Sequence, residues 1–184
     1  VLCESFVPGP EVALEGLLSH GVLRTLALYD KPDPLDGPCF EETIYVTPSR
    51  LPEATQASVH TAVAAAAAAL GLCTGPVHAE IRLPPGGPPL VIEVAARTIG
   101  GLCARILRFG TGLSLEEIVL RHALGQDVAT ADREAPAAGV MMIPIPAAGV
   151  LKAVTGVESA RAVPGIEDVV VSVRIGEKLI PLPE

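Results

Sequence analysis

"HAEIRLPPGGPPLVIEVAAR", residues 78–97, decides how the rest of the chain is read. Two apolar runs flank a Pro/Gly stretch, which predicts a hairpin with strands over 77–83 and 90–96 and a turn at 84–88. Each strand carries one acid, Glu80 and Glu93, among Val, Ile, Leu and Ala. Paired across that turn, the two acids fall near one another on the ladder. Like charges side by side on an apolar sheet are unfavourable unless something cationic sits between them. Mg2+ meets that need, because it binds one or two carboxylates together with substrate phosphates. Arg97 lies four residues past Glu93 and shares its face if the strand continues, where it can grip the phosphate that the metal bridges. The competing reading is a solvated hairpin on which Arg97 pairs with one of the acids.

Composition narrows the choice. The chain has 184 residues, 49% of them hydrophobic but only 3% aromatic, so its core is built from Val, Leu, Ile and Ala. A net charge of −8 with no Lys/Arg cluster argues against nucleic acid as a partner. No stretch reaches the length of a membrane span and no signal peptide is expected, so no membrane partner is expected. Cys3, Cys39, Cys73 and Cys103 have no CxxC spacing and read as thiols of a reduced, cytoplasmic protein. The chain begins at Val1 inside a strand-like run, so it is expected to be a piece of a longer polypeptide.

Along the chain, 1–7 reads as a short extended run and 11–18 and 22–29 as strands joined by Ser19-His20-Gly21. Residues 30–39 read as a loop, and 40–46 as a third short strand. Pro52 and Gly71 bracket a long alanine-rich helix over roughly 51–71. A helix is expected at 101–109, and the Ser114–Glu117 capping box starts another that ends near Gly125. Residues 127–138 read as a polar linker. Short strand patterns and one helical turn near 156–162 make 139–184 a small β-rich piece. The fold class is α+β, with antiparallel strands dominating.

Three segments carry a family resemblance. "HAEI…LVIEVAARTIGG" resembles the metal-and-phosphate hairpin of the ATP-grasp superfamily, "CESFVPGPEVALEG" its hinge strand, and "GTGLSLEEIVLRHALGQD" its closing helix. The stretch Phe40–Ser49 and "GVLKAVTGVESARAVPGIEDV" resemble the carboxylate–amine ligases that join L-amino acids. The resemblance implies the C-terminal part of an ATP-grasp domain over 1–128, an antiparallel sheet flanked by helices, followed by a truncated β-rich subdomain over 136–184. Departures are Ala95, where the family pattern has Asn, and Tyr45, where it has His.

The resemblance also implies the roles. Glu80 and Glu93 would hold Mg2+ (or Mn2+) against ATP, Arg97 would neutralise the acyl phosphate, and Gly100 and Gly101 would offer backbone N–H groups to the same oxyanion. Glu4, Ser5, Phe6 and Val7 would pair adenine, Glu11 would bind the ribose, and Lys31 would reach a phosphate. Glu42 and Tyr45 would face the incoming amine. Substrates would be a small carboxylate and an amine, and a homodimer is compatible. Relatives that carboxylate or build purine precursors, or a non-catalytic scaffold, are the alternatives. The family's phosphate lid, with its own lysines, is expected in the missing N-terminal part of the same polypeptide, so this piece alone is expected to be inactive.

Overall fold

The structure, a computed structural model, describes residues 3–34, 40–110, 112–128 and 130–182. Val1 and Leu2 of the first extended run, and 35–39 of the first loop with Cys39, lie outside the described residues. The elements run β1 (Glu11–Ser19), β2 (Val22–Lys31), β3 (Ile44–Thr47), α1 (Glu53–Ala69), β4 (Gly75–Arg82), β5 (Leu90–Ala95), a 3-10 turn (Cys103–Ile106), α2 (Leu115–Ala123), β6 (Ala138–Met141), β7 (Gly149–Val150), α3 (Val157–Arg161) and β8 (Lys178–Leu179). Strands β1 to β6 form one sheet in the order β5-β4-β1-β2-β3-β6, with antiparallel pairing throughout.

The chain divides into two units. The first holds the six-stranded sheet with α1 and α2 and runs to Met142; the second starts at Ile143 and also includes Phe40 and Glu41. The period of two along β1 and β4 gives the sheet two different faces. Val12, Leu14, Leu18, Val77, Ala79 and Ile81 form one face with Val59, Val63 and Ala67 of α1. The helix buries residues spaced by four along an alanine-rich surface, so little bulk separates it from the strands. The other face carries Ala13, Leu17, Tyr29 and Tyr45 under Ile99, Cys103, Leu107, Phe109 and Ile118.

Several local expectations are corrected. Residues 3–10 form no strand, and 40–46 contributes only Ile44–Thr47. The helix expected over 101–109 shrinks to the four-residue 3-10 turn, bounded by Gly101 at φ 61 and Gly110 at φ 58. The segment read as a linker is anchored instead: Val128 and Ala131 are buried, and Arg24 donates to both of their carbonyls. β6 then joins the large sheet beside β3. Among the described residues of the second unit only two-residue strands and one short helix form, so DVVVSVRI is not a strand. Among the described residues no helix is long and apolar enough to cross a membrane.

One close approach fixes the segment before β1. Gly9 has φ 112, and a Cβ there would lie 2.2 Å from the Leu83 carbonyl oxygen; the adjoining Pro10 carbonyl accepts from Leu83 N at 2.9 Å. Gly86 has φ 70 but open space around it. Both Gly→Ala changes incur the left-handed strain of about 1–2 kcal/mol, and Gly9→Ala adds the clash. Urea unfolding is expected to show a larger loss for Gly9→Ala than for Gly86→Ala; equal losses would show that the clash is absorbed without cost.

Candidate functional site

The second face of the sheet turns polar toward the Glu11 end of β1. Three rungs cross it. Lys31, Glu11 and Arg82 stand in line across β2, β1 and β4. Next come Tyr29, Ala13, Glu80 and Glu93, reaching β5, and then Ala27, Glu15, His78 and Ala95. Glu80 and Glu93 are direct cross-strand partners. Residues i and i+2 share a face, so the spacing of Glu11/Glu15 and of His78/Glu80/Arg82 is what gathers them.

Lys31 lies at the centre. Its ammonium, with the side chain only 2% exposed, donates to Glu11 at 2.6 Å, to Glu80 at 3.1 Å and to Glu42. Oxygens of these three acids lie within 4.8 Å of one another. Tyr45 donates to the other Glu42 oxygen at 2.5 Å, and its ring lies 4.9 Å below the ammonium. Arg82 Nε holds the second Glu11 oxygen at 2.6 Å, donates to the Gly9 carbonyl, and stacks 5.8 Å from the Phe6 ring. Phe6, Glu11, Lys31, Asp33 and Arg82 line one cavity of about 320 Å³. A larger cavity of about 790 Å³ lies between α1 and the 84–89 turn, but no titratable side chain lines it.

The predicted residues therefore separate into groups. Glu11, Lys31, Glu42, Tyr45 and Glu80 come together. Phe6 joins them through the cavity, whereas Glu4 and Ser5 are exposed along the irregular segment and Val7 is half-buried. Glu93 stands across the rung from Glu80, about half exposed. β5 ends at Ala95, so Arg97 is not on the strand; it lies 3.8 Å from Glu93 and donates to the Thr98 carbonyl. Gly100 and Gly101 follow on an exposed loop. Sequence reading left out Glu15 and Arg82 and gave His78 no role; the signal was their alternation with apolar residues.

Burial and charge shift these groups in opposite senses. Burial disfavours charged His78, but Glu15 Oε2 at 3.4 Å and Glu80 Oε1 at 3.7 Å outweigh it and lift its pKa to about 9. Burial pushes Glu80 up, yet His78 and Lys31 hold it down at about 2. Burial raises Glu15, partly offset by His78 and the Ile99 amide. Lys31 is raised: burial opposes its charge, but Glu11 and Glu42 more than compensate. His78 binds its proton more tightly folded than unfolded, so its stabilisation is complete below its ordinary 6.5 and disappears as pH rises through about 9. Glu80 contributes fully above 4.5 and loses its contribution as pH falls toward about 2. Thermal unfolding of the metal-free chain is expected to show Tm falling between pH 6.5 and about 9, and His78→Gln is expected to flatten that fall. An unchanged slope in the variant would remove His78 as its cause.

Comparison with known proteins bears on the fold and the family. An ATP-grasp domain model matches residues 1–106, more than half of the chain, and the L-amino acid ligase C-terminal domain 2 model matches 141–184. The solved L-amino acid ligase from Bacillus licheniformis superimposes with a TM-score of 0.85 at 34% identity, covering 97% of this chain and 44% of that one. The alanine–anticapsin ligase of Bacillus subtilis (strain 168) is 30% identical over 109 residues, 59% of this chain and 22% of the relative. Phosphoribosylglycinamide synthetase from Anaerococcus prevotii shares the fold, with a TM-score of 0.63 at 15% identity over 80% of this chain and 38% of that one. The chain thus spans less than half the length of these relatives. It belongs to the ATP-grasp family and is L-amino acid ligase-like.

Proposed function

We propose that the chain is the C-terminal part of an ATP-dependent carboxylate–amine ligase that joins amino acids or similar small molecules through an acyl phosphate. The observation that carries this reading is the Glu80–Glu93 rung, with Arg97 3.8 Å from Glu93 and the Lys31 cluster on the other side of Glu80. In the reaction, a substrate carboxylate oxygen attacks the γ-phosphorus of ATP and the bond to the β-phosphate oxygen breaks, releasing ADP. The amine nitrogen then attacks the acyl carbon, inorganic phosphate leaves, and the nitrogen gives up a proton. Most of the barrier lies in bringing anions together and in stabilising spread charge, so placed cations and donors supply the catalysis.

Glu80 and Glu93 are the residues that would hold Mg2+ or Mn2+. The donor set fits a hard cation: carboxylate oxygens, opposite one another, with Glu93 open to solvent. The metal neutralises phosphoryl oxygens when bound. Arg97 and the N–H groups of Gly100 and Gly101 would face the acyl phosphate. Phe6 and its neighbours Glu4, Ser5 and Val7 would border the base. Glu11 would turn an oxygen to the ribose, with Lys31 beside it for a phosphate. Glu42, oriented by Tyr45, would receive the amine. The rest of the ATP site would come from the preceding part of the same polypeptide, in line with the partial coverage of the relatives.

In the intact polypeptide, Glu93→Gln is expected to lower kcat by about 100-fold or more, measured as phosphate release with pairs of amino acids. Near wild-type turnover would remove Glu93 from the metal site. The present chain by itself is expected to produce no ADP with any such pair, and ADP formation by it would overturn its dependence on the preceding part.

A further inference from the structure

Glu15 is the least expected residue of the sheet. It sits mid-strand on β1 with no solvent exposure, on a face whose neighbours Ala13 and Leu17 belong to the core. An aliphatic side chain would fill that space without the several kcal/mol that burying a carboxylate costs. One of its oxygens faces two groups at once. Oε2 accepts from the Ile99 amide at 2.9 Å and lies 3.4 Å from His78 Nδ1. On the far side of the imidazole, Nε2 lies 3.7 Å from Glu80 Oε1. Ile99 is two residues past Arg97 and one before Gly100, and its own side chain is buried. Among the described residues neither the other Glu15 oxygen, Oε1, nor His78 Nδ1 makes a hydrogen bond, so the Glu15–His78 contact is one of charge across 3.4 Å and local polar satisfaction does not account for the carboxylate.

We propose that Glu15 and His78 form a positioning pair that ties the Glu80 carboxylate to the main chain of the Arg97–Gly101 loop. The inference rests on the ligase reading above. Glu80 comes from β4, and the loop starts where β5 ends at Ala95, past the last paired rung of the two strands. Glu15, on the central strand, meets the loop at the Ile99 amide and reaches the Glu80 carboxylate through His78. His78 orients Glu80 as an outer partner orients a ligating group, and the Ile99 hydrogen bond fixes where the Gly100 and Gly101 amides point. Neither residue touches substrate; both act through residues that do.

Four variants of the intact polypeptide separate this proposal from the reading beneath it. Mn2+ binding is titrated directly by electron paramagnetic resonance with ADP present, and kcat and KM for ATP are measured alongside. Glu15→Gln and His78→Gln are each expected to weaken Mn2+ binding and to lower kcat by about 10- to 100-fold, with KM for ATP changed by no more than about twofold. The double variant is expected to be little worse than either single one, because the two residues act as a unit. Amide exchange at Ile99 is expected to speed up in Glu15→Gln but not in His78→Gln, which keeps the carboxylate–amide bond. If Glu93→Gln depresses Mn2+ binding and kcat while the other two variants match wild type, the positioning pair is overturned and the ligase reading stands. If Glu93→Gln itself matches wild type, both fall. A loss of Tm in Glu15→Gln with Mn2+ binding and kcat intact also overturns the pair, reducing Glu15 to a core residue. Should Glu15→Gln fail to fold, His78→Gln decides alone.

Discussion

A buried ammonium organises the molecule. Lys31 carries its charge to a point where its side chain is 2% exposed, and such a burial is tolerable only with paired anions around it. The three acids that supply the pairing come from different places: Glu11 from β1, Glu80 from β4 and Glu42 from the segment before β3. Because the three acids converge on one ammonium, the cluster ties together the register of β4, β1 and β2 and holds the segment leading into β3. Stability alone does not require such a cluster, since apolar residues of similar volume often serve as well or better. Its location at the open, polar end of an otherwise aliphatic face is therefore best understood through chemistry that needs carboxylates and cations close together.

The two faces of the sheet divide these demands. On the α1 face, Val, Leu, Ile and Ala meet a helix that contributes little more than Val59, Val63 and Ala67, and the packing there is uninterrupted. The other face is most continuously apolar toward Leu17, under Leu107, Phe109 and Ile118. Toward Glu11 it gives way to the three polar rungs. The uninterrupted face offsets the cost of the polar one, and this is how a chain with so few aromatic residues can carry buried Glu11, Glu15, Lys31, His78 and Arg82 in a single sheet.

What could be read from the sequence was local. The 78–97 hairpin, the opposed pair Glu80 and Glu93, the alanine helix between Pro52 and Gly71 and the Ser114 cap all follow from spacings of a few residues. The cap is direct: Ser114 Oγ accepts from Glu117 N. What could not be read depends on distant partners. Glu15 and His78 become a pair only once β1 and β4 are known to be neighbours in that register. The 101–109 stretch has helical composition, but Gly101 and Gly110 adopt left-handed backbone and leave room for one tight turn. DVVVSVRI has the pattern of a strand, yet pattern does not make a strand without a neighbour to pair with, and among the described residues β7 and β8 pair only with each other. The anchoring of Val128 and Ala131 was hidden because their partner, Arg24, sits more than a hundred residues earlier.

Arg82 shows how far the polar rungs extend their influence. It belongs to β4, yet its guanidinium holds Glu11 on β1, the Gly9 carbonyl and the face of Phe6. The segment 3–10 has no strand of its own, so this side chain and the Leu83–Pro10 hydrogen bond give it a defined path along the cavity. A shift of β4 along its neighbour would therefore displace the Glu80 carboxylate, the Glu11 pair and the Phe6 ring together. One strand thus couples the cavity that Phe6 borders to the rung where Glu80 meets Glu93. The antiparallel pairing of β1 and β4 sets that distance, and the alternation of acid, base and aliphatic residues along both strands makes the setting readable.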